Sequence, residues 1–411
     1  MRKYTRGFIV FSLLVVLFSC ERKETTVLNE SQMKFIENQF DNALTIANDP
    51  FSIPRTITEN GDLKTVDIYD WTSGFFSGNL WYMYELTEDE RWKKEAIKWT
   101  EALDSVQYFS NHHDIGFMIN CSYGNALRLT GNKEYEKVLV QAAMSLSERY
   151  SAVTGSIESW DYREAWNDTT EWFYPVIIDN MMNLELLFEA SRLSGDDRFR
   201  SIAVQHAITT MKNHYRDDFS SFHVVDYDTI TGDVLDKATC QGFVDQSSWA
   251  RGQAWGLYGF TMCYRYTKDE RFLKFAENIA DYIINHPNLP DDMIPYWDYN
   301  VVDHGLIPEW SYDPSGYPVI PRDASAAAIT SSALFELGKY SLENRERYYA
   351  VATKIIESLA SPAYMATSDN NRYFILNHSV GSIPHSVEID VPLVYADYYF
   401  LEALNRSMHT E

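Results

Sequence analysis

The clearest indication of the fold lies in residues 241–272, which read QGFVDQSSWARGQAWGLYGFTMCYRYTKDERF. From Ala250 to Tyr266 this stretch is apolar and rich in small residues on nearly every side, which is typical of a helix that is buried all round. A short polar turn, YTKDERF at 266–272, then offers an N-cap residue and early acidic residues. A charged amphipathic helix follows this turn. The stretch therefore predicts a hairpin of one buried helix and one half-exposed helix.

The same hairpin recurs along the chain, and such internal repetition is the main signal in the sequence. The other polar turns read LTEDERW (86–92), LTGNKEY (129–135), LSGDDRF (193–199) and, more loosely, YSLENRERY (340–348). The apolar helices before them are predicted at Gly74 to Leu86, Ile115 to Leu129, Ile177 to Leu193 and Ala324 to Tyr340. Five hairpins of one kind predict a closed array of inner and outer helices.

The two ends of the chain complete this array. A first helix at about 31–48 has no inner partner before it, and a last apolar helix at about 392–405 has no outer partner after it. Together they bring the count to six inner and six outer helices. We therefore predict an all-α (α/α)6 barrel, a toroid of six helical hairpins, formed by residues 31–411 as a single catalytic domain. Strand signals are few, as at 223–228.

The connections between hairpins are much longer than the turns within them. They cover 151–176, 216–248, 286–322 and 361–391, and in such a ring they fall on one face, beside the N-termini of the inner helices. Long loops carry function, and helix N-termini favour anions. This predicts a site at that mouth for a substrate that bears a carboxylate.

The first 19 residues predict an export signal. Arg2, Lys3 and Arg6 precede an apolar run that is too short to cross a bilayer. The sequence LFSC at 17–20 resembles a bacterial lipobox, which makes Cys20 a lipidated N-terminus followed by a tether at 20–30. The alternative is ordinary cleavage after Ser19. The protein is expected in the cell envelope, facing the periplasm or in the outer membrane, and held to the membrane only by its lipid.

Net charge and cysteine content exclude other classes. The chain carries 35 basic and 59 acidic side chains, a net charge of −24, so nucleic acid is not expected as a partner. Cys121, Cys240 and Cys263 do not form a disulfide framework and are expected as buried thiols. The sequence does not specify the oligomeric state.

Several chemistry-bearing residues stand where the inner helices begin. They are Trp71, Asp114, Asp179, Trp249, Arg251, Gln253, Trp255, Arg322 and Asp323. For Asp114 and Asp179 taken singly, a helix cap is the ordinary reading. Two carboxylates, an arginine and several tryptophans that converge on one cavity are instead typical of glycoside chemistry.

Alternatives stay open for Arg251 and His223, while two other features have an ordinary interpretation. Arg251 either stacks on Trp255, one turn away, or anchors a substrate carboxylate or hydroxyl. Arg322 and Asp323 are read as a buried ion pair. His223, in a long loop, is either an exposed histidine or a ligand contact. No second cluster at ligand spacing accompanies the histidines at 112–113, so no metal is expected.

The chain resembles the unsaturated glucuronyl hydrolases of glycoside hydrolase family 88. The matching pieces are WTSGFFSG (71–78), HDIGF (113–117), IIDNMMNLELL (177–187), QGFVDQSSWARGQAWGLYG (241–259), RDASAAAI (322–329) and ADYYFLEAL (396–404). They span nearly the whole chain after the export signal, and the block around WARGQAW is the most specific. A sister family that acts on unsaturated rhamnogalacturonyl groups usually carries another pair in place of Gln253-Ala254.

The resemblance implies an (α/α)6 barrel and a reaction without metal or cofactor. The implied substrates are lyase-generated oligosaccharides with a 4,5-unsaturated uronic acid at the non-reducing end. Asp179 matches the acid/base that protonates C4 and activates water for C5, and Asp114 matches the second essential aspartate. The implied substrate contacts are His223, Gln241, Trp249, Arg251 and Trp255, with Trp71 on the same wall and Trp160 as a weaker match. A hydrophobic pocket and Asp114 would raise the pKa of Asp179, whereas the helix N-terminus would lower it.

Two positions depart from the family pattern. Many members have histidine where this chain has Cys240. A Ser-x-x-Ser-x-Lys run that contacts sulfate in some members reads SIPHSV at 382–387, so that Ser382 is kept and His385 could substitute for the missing contacts. Fragments of glycosaminoglycans are the expected substrates. The alternatives are a rhamnogalacturonyl-type hydrolase and a glycan-binding lipoprotein without catalysis.

Overall fold

A computed structural model describes residues 28–164, 170–308, 310–367 and 371–410. The predicted export signal, the lipidation site at Cys20 and the tether as far as residue 27 lie outside the described residues. In the part of the chain that is described, no helix combines the length and the apolar character that crossing a membrane requires.

Twelve helices of the described chain alternate between two layers. The odd-numbered helices are outer: α1 Glu30–Ile46, α3 Glu90–Glu101, α5 Lys133–Ser147, α7 Asp197–Asn213, α9 Glu270–Asn285 and α11 Arg345–Leu359. The even-numbered helices are inner: α2 Ser73–Thr87, α4 (Ile115–Ile119, a π-helical turn Asn120–Gly124 and Asn125–Thr130), α6 Asn180–Ser194, α8 Ala250–Thr267, α10 Ala324–Tyr340 and α12 Val394–Ser407.

The inner helices form a closed ring. Each inner helix packs on the next one along the chain, and α12 packs back on α2, which joins the two ends of the chain. Burial follows the two layers: in α10 every side chain from Ala324 to Gly338 is buried, whereas α9 buries one stripe that includes Phe272, Ala276 and Ile283. The predicted all-α (α/α)6 barrel is confirmed.

Four of the five turns inside the hairpins share one local design; in the fifth, after α10, Ser341 is not left-handed and Asn344 makes no side-chain cap. Inner helices end on a left-handed residue such as Lys268 (φ 55°) or Gly195 (φ 73°). Asp269 and Asp196 then accept hydrogen bonds from backbone N–H groups two residues on and cap the outer helices. A left-handed end followed at once by a side-chain cap reverses the chain within a few residues. The predicted capping turns are therefore confirmed in four of the five hairpins.

The long connections contain more strand than the sequence suggested. Eleven short strands form hairpins and one three-stranded sheet: β1 Ile53–Ile57, β2 Leu63–Val66, β3 Tyr150–Ser151, β4 Ser156–Ile157, β5 Arg163–Glu164, β6 Glu171–Trp172, β7 Pro175–Ile177, β8 Val224–Tyr227, β9 Val234–Ala238, β10 Ser379–Ser382 and β11 Val387–Val391. The sheet is antiparallel in the order β7-β8-β9 and includes the predicted strand at 223–228. Strands of two to five residues leave too little alternation to be read from sequence.

One close approach between inner helices positions the predicted site. A Cβ on Gly116 would lie 2.5 Å from the Cα of Asn183, so only glycine lets α4 and α6 come this near. The backbone N–H of Phe117 also donates to Asn183 Oδ1 at 2.9 Å. Because Asp114 and Asp179 directly precede these two helices, the contact brings both carboxylates to the same part of the mouth.

The opposite end of the barrel holds a second set of buried charges. Glu185, Arg265, Glu336, Glu402 and Arg406, named here the basal cluster, lie on inner helices, and all but Glu185 lie in the C-terminal halves of those helices. Arg265 pairs with Glu185 at 2.8 Å and with Glu336 at 3.0 Å, and Arg406 pairs with Glu336 at 3.1 Å and Glu402 at 3.2 Å. The cluster ties the last inner helix to α8 and α10.

Candidate active site

A cavity of about 320 Å³ opens at the mouth of the barrel. Of the residues that the sequence singled out, it is lined by Trp71, Asp114, Trp160, Asp179, Gln241, Arg251, Ser382 and His385. A larger cavity of about 660 Å³ lies at the opposite end, beside the basal cluster. Size does not decide between the two cavities, because the carboxylates and tryptophans expected of a glycoside site converge on the smaller one.

Neither carboxylate at the mouth serves as a helix cap. Asp114 and Asp179 occupy the N-cap positions of α4 and α6, yet neither side chain accepts a capping hydrogen bond. Asp323, at the same position of α10, does cap its helix, because it accepts from the backbone N–H groups of Ser325 and Ala326. The capping alternative is therefore wrong for Asp114 and Asp179, whereas Asp323, for which the sequence suggested an ion pair, does cap its helix.

Asp179 keeps a buried carboxylate without the usual compensation. The residue is 9% exposed, and its Oδ2 has no hydrogen-bond partner within the described chain. Burial raises the pKa of Asp179 to about 7; Arg251 opposes this rise, and the nearby carboxylate of Asp114 adds to it. The question that the sequence left open is thus decided by desolvation. A carboxyl group that titrates near neutral pH can both give and take a proton.

His223 is buried against Asp179, so of its two alternatives the exposed histidine is wrong. Its Nδ1 accepts hydrogen bonds from the backbone N–H groups of Cys240 at 2.9 Å and Gln241 at 3.2 Å. An acceptor at Nδ1 leaves the proton of a neutral imidazole on Nε2, which lies 3.6 Å from Asp179 Oδ2. Burial holds the pKa of His223 well below its usual value, so the ring stays neutral. The histidine therefore directs an N–H towards Asp179.

Asp114 differs from Asp179 in its charge. Its carboxylate lies 3.1 Å from Nδ1 of His112 and 3.2 Å from Nε2 of His113. Burial alone would raise the pKa of Asp114, but His113 and His112 together bring it below the usual value. One carboxylate of the pair thus stays ionised while Asp179 holds a proton near neutral pH. Such a division of roles is what a general acid and a charge-stabilising partner require.

Arg251 is held by the protein more firmly than the sequence suggested. Its Nη1 donates to Asp323 at 3.2 Å and to the carbonyl of Val380, and its Nη2 donates to Gln241 Oε1 at 3.1 Å and to the carbonyl of Gly381 at 2.7 Å. These contacts occupy the four N–H groups at the two ends of the guanidinium. Arg251 therefore supplies positive potential and orients Gln241. Most of its N–H groups are already used within the protein and are not free to bind a substrate carboxylate.

Two sequence-based pairings at this site are wrong. Arg251 stacks over the indole of Trp249, 4.5 Å from the ring centroid, and not on Trp255. Arg322 does not pair with its neighbour Asp323: it pairs with Asp292, whereas Asp323 accepts from Arg251. The physical reason is direction, because successive residues at a helix start point to different sides of the chain.

Three predicted contacts lie behind the cavity wall. Trp249 and Trp255 are buried, and neither they nor His223 line the cavity itself. Trp255 still acts on the site, since its indole N–H lowers the pKa of Asp179. The exposed aromatic wall is Trp71, packed on Tyr395 with ring centroids 5.0 Å apart. Trp249, Trp255 and His223 thus support the side chains that face the cavity.

Residues that the sequence reasoning missed complete the wall. Arg55 donates to Glu388 at 2.6 Å and to Asp70 at 2.7 Å, and so ties the β1–β2 hairpin to the β10–β11 hairpin. Arg163 stacks over Trp160 at 4.5 Å. No helical period or motif marks Arg55 or Arg163, since both lie in two- to five-residue strands. Only the spacing of Arg163 three residues after Trp160 hinted at a shared surface.

The described residues contain no group of three or more histidine, cysteine, aspartate or glutamate side chains placed to hold a metal ion. Cys121, Cys240 and Cys263 are buried free thiols, as predicted. The chemistry available at the cavity is therefore proton transfer and charge stabilisation by aspartates, imidazoles and a guanidinium, between aromatic walls. A toroid of helical hairpins with this equipment defines a glycoside-processing enzyme.

Comparison with known proteins identifies the family. The sequence matches the profile of Glycosyl Hydrolase Family 88 over residues 52–266. A curated unsaturated glucuronyl hydrolase of Formosa agariphila is 43% identical, with all of this chain and 99% of the relative covered. The chain belongs to glycoside hydrolase family 88, as its motifs predicted.

Two further relatives carry substrate names. An unsaturated chondroitin disaccharide hydrolase of Streptococcus agalactiae is 34% identical over 86% of this chain and 85% of the relative. The crystal structure of an unsaturated glucuronyl hydrolase specific for heparin is 44% identical, with a TM-score of 0.85 over 92% of this chain and 96% of that chain. The barrel fold thus extends over both proteins.

Proposed function

We propose that this enzyme removes the 4,5-unsaturated uronic acid from the non-reducing end of oligosaccharides that polysaccharide lyases produce from glycosaminoglycans. The observation that carries the proposal is the buried carboxyl group of Asp179. Its pKa of about 7 lets the group act first as an acid and then as a base, as the reaction needs. The names of the relatives, which act on glucuronyl, chondroitin and heparin substrates, support the glycosaminoglycan source.

The reaction follows from the placement of one acid beside one fixed charge. Asp179 gives its proton to C4 of the vinyl ether, and positive charge develops at C5 and the ring oxygen. Asp114, ionised beside His113, stabilises that charge. The Asp179 carboxylate then takes a proton from the water that adds to C5, so it ends in its starting state. The resulting hemiketal opens, and the aglycone leaves as an alcohol.

His223 and Arg251 both favour the ionised form of Asp179, and burial opposes them. The Nε2–H of neutral His223, 3.6 Å from Asp179 Oδ2, favours the ionised form once the proton has left. The Arg251 guanidinium also lowers the pKa of Asp179, while burial keeps it high. The balance leaves a carboxyl group that is acidic enough to protonate an enol ether and basic enough to activate water.

The cell-envelope location is a separate proposal. The charged start, the short apolar run and Cys20 after LFS support a lipoprotein whose barrel is held at the membrane by its acyl chains. Fractionation of cells that express the protein and a Cys20→Ser variant tests this. The wild type is expected with the membranes; recovery of both proteins in the same soluble fraction contradicts the anchor.

The activity is tested with purified protein and unsaturated disaccharides from chondroitin, heparin, pectin and ulvan lyases. The expected result is loss of the ultraviolet absorbance of the double bond, fastest on the glycosaminoglycan fragments, and no hydrolysis of the matching saturated disaccharides. Faster turnover of pectin fragments would favour the rhamnogalacturonyl type. Binding of polysaccharide without loss of absorbance would leave a glycan-binding protein and overturn the proposal.

A further inference from the structure

Arg163 is the cation of the cavity that no carboxylate of the described residues pairs with. Arg55 pairs with Asp70 and Glu388, and Arg251 pairs with Asp323. Arg163 lines the same cavity, and among the described residues it forms no salt bridge. A cation at the mouth of a strongly acidic protein, where its charge is not balanced, is a local attraction for an anionic ligand.

The surroundings of Arg163 hold it in place without cancelling its charge. Its guanidinium lies 4.5 Å from the ring centroid of Trp160, and its Nη2 donates to Nε2 of His385 at 3.1 Å. Burial first and then Arg163 bring the pKa of His385 to about 4, so the imidazole is neutral at neutral pH. A stacked arginine with one neutral partner keeps an open edge of its planar fork for a sulfate or a carboxylate.

His385 in turn orients the hydroxyl group of Ser382. Because Nε2 of His385 accepts from Arg163, its proton lies on Nδ1, which is 2.6 Å from the hydroxyl oxygen of Ser382. The serine oxygen then accepts, and its own hydrogen is left to donate. Ser382 also lines the cavity. Arg163 and Ser382 thus form two ordered donor groups on one wall.

The wall formed by Arg163 and Ser382 lines the same cavity as the reacting carboxyl group of Asp179. Asp179 contacts His223, and the His223 ring lies 6.2 Å from Trp160, with Arg163 stacked on Trp160 in turn. Two ring systems therefore separate Arg163 from the acid, in a cavity that both residues line. A group that binds Arg163 while C4 faces Asp179 belongs to the sugar next to the unsaturated one.

We infer that Arg163, with Ser382, selects substrates that carry a sulfate or carboxylate on the sugar adjoining the unsaturated uronic acid. The inference rests on the proposed function and deepens it by assigning a specificity-determining residue. Arg163 belongs to the β5–β6 hairpin and lies outside the C-terminal run 382–387 in which the sequence sought a sulfate contact, whereas Ser382 and its partner His385 belong to that run.

The test compares Arg163→Gln, Arg163→Lys and the wild type on three unsaturated disaccharides whose second sugar is neutral, sulfated or a uronic acid. Arg198→Gln is the matched control, since Arg198 is highly exposed on an outer helix. We expect the wild type to prefer one or both anionic disaccharides about tenfold in kcat/KM, mainly through KM. Arg163→Gln removes that preference with little change on the neutral disaccharide, and Arg163→Lys restores part of it.

Which anionic disaccharide is preferred tells a sulfate site from a carboxylate site. An unchanged preference in Arg163→Gln overturns the inference, as does a wild type without preference. An equal loss on all three disaccharides also overturns it, because Arg163 would then hold the carboxylate of the unsaturated sugar itself.

A binding measurement separates this inference from the proposed function. Calorimetric titration of Asp179→Asn and of Asp179→Asn/Arg163→Gln with the same disaccharides does not need turnover. Selective loss of the anionic ligands in the double variant supports the role of Arg163, and equal affinities contradict it. If the wild type hydrolyses none of the disaccharides, the proposed function fails, and this titration still decides the role of Arg163.

Discussion

The two ends of the barrel bury charge in opposite ways. In the basal cluster every carboxylate meets an arginine, and Glu402 also accepts from Tyr82, Tyr258 and Ser332. At the mouth, Asp179 is equally sheltered from water but keeps an oxygen without a hydrogen-bond partner among the described residues. Pairing offsets the cost of burying a charge, whereas an unpaired buried carboxyl is maintained at a cost and is available for chemistry.

Asp179→Asn is expected to have the largest effect. Asparagine keeps the shape of the side chain but cannot give or take the proton, so kcat on an unsaturated disaccharide should fall by about 10³-fold or more. Steady-state loss of the double-bond absorbance measures this, with circular dichroism to confirm the fold.

Asp397→Asn is the matched control for this change. Burial raises the pKa of Asp397 to about 8, yet its carboxylate accepts from the backbone N–H groups of Ile375 and Leu376. This variant should lose stability and keep its kcat. Equal losses of activity in the two variants would show that any buried aspartate matters, and would remove the special role of Asp179.

Breaking the basal cluster should affect stability and leave catalysis intact. Arg406→Met leaves Glu402 and Glu336 with less compensation in a buried place, which is expected to cost about 3–5 kcal/mol of the free energy of unfolding. Denaturant unfolding measures the loss, and Arg347→Met, which removes an exposed ion pair of α11, is the control. The milder Glu402→Gln covers the case in which Arg406→Met does not fold. A large fall in kcat with unchanged stability would reverse the contrast between the two ends.

How far the sequence predicted the molecule depends on the kind of residue. Helical hairpins repeat a long apolar pattern and a capping turn, so the twelve helices could be predicted. The strands at the mouth are two to five residues long, and a pattern with a period of two cannot be recognised over so few positions. Arg163, which stands in such a strand, was missed for that reason.

The sequence predicted which residues belong to the site but not which groups their side chains contact. Position at an inner-helix start brought Asp114, Asp179 and Arg251 to notice. Whether an aspartate caps its helix depends on where its side chain turns, and this separates Asp179 from Asp323. The neutral state of His223 could not be read either, because it depends on backbone N–H groups of a distant loop.

The free energy of unfolding should also depend on pH through the Asp179 carboxyl group. The folded-state pKa of Asp179, about 7, lies above its unfolded value, so ionisation of Asp179 costs stability as the pH rises from about 4 through 7. Asp179→Asn removes that cost. We expect the variant to gain up to about 4 kcal/mol over the wild type at pH 8 and almost nothing at pH 4. Urea unfolding at the two pH values measures the difference; a variant less stable than the wild type at pH 8 would mean that the carboxylate is compensated after all.

The most direct test is a titration of the Asp179 carboxyl group itself. Infrared difference spectra of the wild type minus Asp179→Asn, recorded as a function of pH, isolate its protonated C=O band from those of the other buried aspartates. We expect a midpoint near pH 7, because burial outweighs the pull of Arg251. A midpoint at or below pH 4 would show an ordinary ionised carboxylate, and Asp179 could then not be the proton donor.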